Sequence, residues 1–298
     1  MAKKKVRGLP AFQSWYAEIW DDRWPVLEEA LVQPVRHVAL WNVWSKAKPS
    51  ELFSDEHKLS EELDGCWEGP QFLPPSYDQE GLMPYYLLDG ASALVSSYLK
   101  MVDFTDALDL CAAPGGKSLQ LAFQMEATGT IVLNELSKTR FHRLQRVIQD
   151  YLPRSVIDGQ VKFTKHDAQR WCLYEKDAYD FVLLDAPCSS ERHLLHDPKV
   201  IADWSPSRSK QLSKRQYAML ASALDVVRVG GHILYMTCSI SPLECDGVVE
   251  RLLKKRKGRC EVRELPLDSM EPTDWGGYLL PDQSGWGPIY SCLIQRTA

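Results

Sequence analysis

Apolar residues recur at helical spacing through FQSWYAEIW (12 to 20) and WPVLEEALVQPVRHVALWNVWSKA (24 to 47), so residues 11 to 63 predict helices broken near Pro34 and Pro49. The stretch GPQFLPPSYDQEGLMP (69 to 84) is rich in proline and glycine and reads as a linker. It divides the chain into an amino-terminal helical segment with its linker, 1–80, and a larger domain, 81–298.

From about residue 85 the pattern changes to alternating strands and helices, the signature of a parallel sheet covered on both faces. ALDLCAA (107 to 113) enters the helix of PGGKSLQLAFQM through a glycine turn. TIVLNEL (130 to 136), VKFTKHDA, DFVLLDAPC (180 to 188) and HILYMTCS (232 to 239) are the following strands, with a long helix at about 209 to 228. The expected architecture is an α/β, Rossmann-like doubly wound sheet. The next helix carries its own punctuation: Ser241 as N-cap, Pro242 at its first position, Glu244 closing a capping box, and Gly258 beyond its end. EVRELPL and PIYSCLIQRT then predict two terminal strands, an antiparallel hairpin that closes the sheet.

Charge narrows the possible partners. The formal net charge is −5 and the pI about 5.8, which excludes coating nucleic acid by bulk attraction. Nucleic acid would have to be met by local patches, and there are two: Lys3, Lys4, Lys5 and Arg7, and Lys254, Lys255, Arg256, Lys257 and Arg259. Each also reads as a solvated tail or helix end. Six of the ten tryptophans precede residue 70. On amphipathic helices they read as core before they read as base-stacking platforms.

No apolar run approaches the roughly 20 residues that span a bilayer, so no membrane segment is expected. Eight cysteines occur without C-x-x-C pairs or His-bearing metal spacings. The expectation is therefore no metal and no disulfide scaffold, with reduced thiols in a cytoplasmic protein.

Ligands of open α/β sheets sit beyond the carboxyl ends of the strands, so the residues at those ends are the ones to examine. Asp109 and the loop Cys111, Ala112, Ala113, Pro114, Gly115, Gly116 and Lys117 end one strand; Glu135, Asp167 and Asp185 end the next three. Each acid alone is equally a helix cap, but four at successive strand ends favour a ligand. Glu135 follows Gly116 by 19 residues, near the spacing at which an acid grips ribose hydroxyls. The loop is neither G-x-G-x-x-G nor a P-loop, which disfavours a phosphate cradle. An adenosine bearing a sulfonium amino acid fits better. Two cysteines also stand at strand ends, Cys188 in DAPCSS and Cys238 in YMTCSIS.

At these motifs the sequence resembles the RsmB/NOP/Sun RNA cytosine methyltransferases, through DLCAAPGGKS (109 to 118), NELSKTR (134 to 140), KHDAQRW (165 to 171), LLDAPCSS (183 to 190) and GGHILYMTCSIS (230 to 241). YYLLDGAS (85 to 92), ERHLLHD (191 to 197) and GPIYSCLIQR (287 to 296) resemble the mitochondrial ribosomal-RNA branch. The resemblance implies a class I methyltransferase fold and S-adenosyl-L-methionine as cofactor. It implies that Cys111 to Lys117 wrap the methionine part, that Glu135 and Arg140 hold the ribose region, and that Asp167 with Ala168 meets the adenine.

The resemblance also assigns chemistry. Carbon 5 of cytosine is a poor nucleophile until a thiolate adds to carbon 6. Cys238 is implied as that thiolate, Asp185 as the acid that stabilises charge on the ring, and Cys188 as the residue that resolves the adduct. The target base must leave its stack, which favours looped RNA. DNA cytosine methyltransferases attack with the Pro-Cys thiol, the position of Cys188, and would give Cys238 no task. Ribosomal RNA is the expected partner, presented by a protein or a partly assembled subunit. Transfer RNA, and a methyltransferase-fold assembly factor that binds RNA, stay as alternatives.

Overall fold

A computed structural model describes residues 7–264 and 270–298. Lys3, Lys4 and Lys5 of the first basic cluster, and the end of the expected strand EVRELPL, lie outside the described residues.

The larger sheet follows from strands whose two faces are both apolar. In chain order its strands are β5 (Asp106–Asp109), β6 (Thr130–Asn134), β7 (Val161–Thr164), β8 (Tyr179–Asp185), β9 (Val227–Thr237), β10 (Cys260–Arg263), β11 (Glu271–Pro272), β12 (Gly277–Leu279) and β13 (Ile289–Arg296). Their order is β11-β12-β13-β9-β8-β5-β6-β7, with β10 also paired to β13. β7, β6, β5, β8 and β9 run parallel, whereas β13 is antiparallel to both β9 and β10. The doubly wound sheet and its terminal antiparallel pair are thus as the sequence predicts.

Period-two alternation explains the two cores. Val182, Leu184, Ile233 and Tyr235 point into one apolar cluster; Phe181, Leu183, Leu234 and Met236 point into the other. Strand order reverses at β5, which pairs with β6 on one side and β8 on the other. Ligands bind at such a switch point.

The amino-terminal region corrects the helical expectation. Helices form at Leu9–Trp20 and Trp24–Val32 and end before Pro34. From there the chain builds a second sheet of β1 (His37–Trp41), β2 (Lys58–Leu59), β3 (Cys66–Glu68) and β4 (Tyr85–Asp89), in the order β2-β3-β1-β4. VRHVALW is β-branched and short, and its apolar residues satisfy either period. Its antiparallel pairing with Tyr85–Asp89, across almost 50 residues, decides the matter and is invisible locally. That small sheet joins residues on both sides of position 81.

Of the amino-terminal tryptophans, Trp24 is buried, and Trp15, Trp20 and Trp44 pack half-buried against the two cores. Trp24 stacks on Tyr16 at 5.4 Å, Trp44 meets Phe123 edge-on at 5.4 Å, and Trp41 meets Phe53 at 5.9 Å. The second basic cluster is largely paired: Arg256 and Arg259 both contact Asp225, and Lys254 contacts Glu250.

The capping box is also corrected. The helix begins at Asp246, not Ser241, and Glu244 turns its side chain inward to Ser189 and Gln216. A buried donor set outcompetes the local cap because Glu244, itself fully buried, needs partners that only the interior can supply.

Candidate active site

The loop leaving β5 is held by Asp109. One oxygen of this buried carboxyl accepts from the Cys111 amide at 3.2 Å, and the other meets Oγ of Ser118 at 2.7 Å. Burial pushes the carboxyl up to about 7, against the Ser118 hydrogen bond that favours its charge. The glycines give this loop its path. Gly115 adopts φ of +127°, and a side chain there would also meet Val147 at 2.8 Å; a Cβ on Gly116 would lie 2.7 Å from Cε1 of Tyr86.

The next two strand ends lean on the same loop. Glu135, 5% exposed, accepts from the Ser137 amide at 2.8 Å and faces Arg140 at 3.3 Å. Arg140 in turn donates to the Ala113 carbonyl. Asn134 joins three strand ends: its amide donates to the carbonyls of Leu110 and His166, each at 3.0 Å, while its oxygen accepts from the His166 amide at 2.8 Å. Asp167 caps the turn Ala168–Leu173 through the Gln169 amide at 3.0 Å, and Ala168 is buried.

A cleft of about 240 Å³ opens between this loop and the small sheet. Cys111 through Lys117, Asp109 and Asp185 form one wall; His37, Tyr86, Asp89 and Ser92 form the other. Glu135, Asp167, Cys188 and Cys238 stand on neighbouring strand ends and do not line it.

At the far side of Lys117 the chemistry changes. Nζ of Lys117 lies 2.8 Å from Oδ2 of Asp185 and 3.1 Å from Oγ of Ser92. Burial opposes the lysine's charge, but attraction to Asp185 outweighs it and holds the ammonium above its ordinary range. Three residues after Asp185, Sγ of Cys188 sits 2.8 Å from Sγ of Cys238. The hydrogen bond to Cys238, then burial, then the charges of Cys238, Glu191 and Glu244 push the Cys188 thiol well up. Sγ of Cys238 also donates to Oγ of Ser190 at 3.4 Å. Ser190 itself is left-handed, with φ of 55° and ψ of 65°, a strained backbone for a residue with a side chain.

The profile of the 16S rRNA methyltransferase RsmB/F family matches residues 96–292. The chain belongs to the RsmB/F methyltransferase family. Among relatives, the 5-cytosine rRNA methyltransferase NSUN4 of Mus musculus is 31% identical over 97% of this chain and 88% of its own length. NSUN4 of Xenopus laevis is 40% identical over 72% of this chain and 57% of its own length. The mitochondrial tRNA (cytosine(34)-C(5))-methyltransferase of Mus musculus is 29% identical over 99% and 92%. The fold is shared with NSun6 from Pyrococcus horikoshii, crystallised with SFG, at TM-score 0.77 and 18% identity, covering 97% of this chain and 98% of that one.

Within this RsmB/F fold, Ser92, Ser118 and Asn134 fall inside the motifs quoted above, yet the sequence assigns them no role because small polar residues carry no distinctive spacing. The pair of acids Glu191 and Glu244 escapes it for another reason: both look like helix-start residues. Glu191 does open the helix Glu191–His196, but its carboxyl is fully buried and serves the cysteine loops.

Proposed function

We propose that this RsmB/F protein is an S-adenosyl-L-methionine-dependent methyltransferase for carbon 5 of cytosine in ribosomal RNA, with Cys238 as nucleophile. The observation that carries the reading is the pair of strand-end thiols at 2.8 Å beside the Lys117–Asp185 ion pair. A chain that only bound RNA would need neither feature.

The residues present fit the cofactor. The glycine loop leaves no room for side chains at Gly115 and Gly116, and Glu135 with Arg140 offers hydroxyl acceptors beside a fixed cation. Cys111 to Lys117 would hold the methionine part, Glu135 and Arg140 the ribose region, and Asp167 with Ala168 the adenine. When bound, the cofactor supplies the methyl group.

The protein's own groups supply the remainder. The Cys238 thiolate adds to carbon 6 of the flipped cytosine, which makes carbon 5 nucleophilic. Asp185 is the acid of this reading: sharing a proton with the ring nitrogen, it stabilises the charge that builds there as electrons move, and the ammonium of Lys117, 2.8 Å from its Oδ2, adds a positive charge beside it. After transfer, Cys188 assists loss of the carbon 5 proton or release of the Cys238 bond, which frees the enzyme.

Transfer RNA is the second reading, favoured by the full-length similarity to the mouse tRNA enzyme. Bisulfite sequencing of total RNA from cells with and without the protein distinguishes them: a cytosine in ribosomal RNA that loses protection supports the first reading, and one in transfer RNA overturns it. Presentation of the RNA by a protein or assembling subunit accords with the acidic net charge of −5. Full-rate multiple turnover by pure enzyme on short naked RNA would contradict that part.

A further inference from the structure

Behind the two cysteine loops lie two carboxyls that no cation among the described residues pairs with. Glu191 and Glu244 are both 0% exposed. Glu244 accepts from the Ser189 amide at 2.9 Å and Nε2 of Gln216 at 3.0 Å through one oxygen, and its other oxygen lies 2.6 Å from Oγ of Ser189. Glu191 accepts from the Ile240 amide at 3.1 Å through one oxygen. Its other oxygen meets the Tyr16 hydroxyl at 2.5 Å, Oγ of Ser239 at 3.2 Å and Oγ of Ser189. Ser189 follows Cys188 and Ser239 follows Cys238, so the two carboxyls fasten one cysteine loop to the other.

The hydrogen bonds can be counted. Oγ of Ser189 makes a close contact with a carboxyl oxygen of each glutamate, yet a hydroxyl owns a single proton. It can donate to only one of them. The second contact is a hydrogen bond only if the proton belongs to a carboxyl. Two ionised carboxylates joined through one serine in a dry interior would also repel each other strongly. Burial, followed by the charge of Glu244, accordingly raises the Glu191 carboxyl. The titratable groups packed around the pair are Tyr16, Tyr235, Tyr278, Cys188 and Cys245, and among the described residues no cation pairs with either carboxyl.

We propose that Glu191 and Glu244 are positioning residues for the cysteine pair: they share one proton, fix the spacing of the two loops, and set one negative charge beside Cys188 so that the thiolate forms on Cys238. The proposal rests on the reading of Cys238 as nucleophile. It explains a division of labour between two thiols only 2.8 Å apart. Both glutamates contact Ser189, the residue after Cys188, whereas only Glu191 reaches the Cys238 loop, and the ammonium of Lys117 feels the charge of Cys238. Tyr16, from the helix Leu9–Trp20, brings the amino-terminal segment into this arrangement.

The test uses the full chain carrying Cys238→Ala, and follows alkylation of Cys188 by iodoacetamide against pH, with peptide mass mapping to isolate that thiol. Glu191→Gln and Glu244→Gln are each expected to leave the midpoint within a few tenths of a unit of the parent. A single glutamine replaces the protonated carboxyl and preserves the net charge. The double variant removes that charge, and its midpoint should fall by about one unit or more, roughly tenfold in rate at a pH below it. Single variants that each shift the midpoint as far as the double overturn the shared proton; an unmoved double variant overturns the electrostatic role.

Infrared spectroscopy of the unsubstituted protein covers a double variant that fails to fold. Because Asp109 also holds its proton up to about 7, the readout is the difference spectrum: near neutral pH each single variant should lose one protonated-carboxyl stretch that the unsubstituted protein shows beyond the constant contribution of Asp109, and difference spectra without that loss overturn the proposal. Neither measurement needs RNA or cofactor, so both stand apart from the reading of Cys238. That reading fails separately, if Cys238→Ala still methylates RNA.

Discussion

Sγ of Cys188 and Sγ of Cys238 lie 2.8 Å apart although 50 residues separate them in the chain. Parallel pairing of β8 with β9 brings them together, since Asp185 is in register with Met236 and both strands end in cysteine loops. Two thiols this close cannot both be ionised, so they must act in turn. Cys238→Ala should lower methyl transfer by at least about a thousandfold, the scale of losing a nucleophile, and leave no covalent complex. Cys188→Ala should still methylate but accumulate protein–RNA adduct on a denaturing gel. An adduct that requires Cys188 and survives loss of Cys238 would reverse the two roles.

The Lys117–Asp185 pair predicts a second outcome. Lys117→Met removes the only cation paired with Asp185 among the described residues and should slow transfer by about a hundredfold, the lower end of acid–base contributions. Its pH behaviour follows from sign. The folded lysine is raised above its ordinary 10.5, so the stability it contributes is fully present below that value and is lost only as pH rises through the higher folded one. The ratio of rates between the parent and Lys117→Met should therefore be flat between about pH 6 and pH 9. A ratio that collapses within that window would mean the lysine titrates there.

Much of this site is legible in the sequence because strand ends, glycine turns and acids are local signals. Cys111 to Lys117, Glu135, Asp167, Asp185, Cys188 and Cys238 all fall at carboxyl ends of parallel strands, where the alternation puts them. What the pattern hides is long-range. His37–Trp41 is a strand because Tyr85–Asp89 pairs with it, and Glu244 abandons its cap because Ser189 and Gln216 reach it from other elements. The wall of the cleft built from Tyr86, Asp89 and Ser92 depends on the same pairing.

That wall makes Gly116 a sensitive position. An added methyl would stand 2.7 Å from Cε1 of Tyr86, and overpacking of this kind costs about 1–3 kcal/mol. Because the ring of Tyr86 lines the cleft, its displacement should weaken binding of a cofactor analogue by roughly tenfold or more. Gly159→Ala is the control, since no atom lies within 4 Å of its Cβ, and it should leave the affinity unchanged. Calorimetric titration with sinefungin measures both. Equal affinities for Gly116→Ala and the parent would show that Tyr86 does not border the bound cofactor.

Asp109 predicts a pH dependence of folding that sits in the cofactor loop itself. Its carboxyl is almost wholly buried and titrates at about 7, against 3.8 for an ordinary aspartate. A raised acid is protonated in the folded chain at pH values where the unfolded chain has lost the proton. Its contribution is complete below about 3.8 and is lost as pH rises through about 7. Over that interval the loss is on the order of 4 kcal/mol. The protonated form has a ready partner, because Oγ of Ser118 can accept from it and donate onward to the Ala112 carbonyl at 3.3 Å. Asparagine offers the same donor and cannot ionise. Asp109→Asn should therefore gain on the parent in urea unfolding at pH 8 and keep less than half of that advantage near pH 5. If the difference in stability between the two proteins is the same at both pH values, Asp109 is ionised throughout, its charge held by the Cys111 amide and the Ser118 hydroxyl.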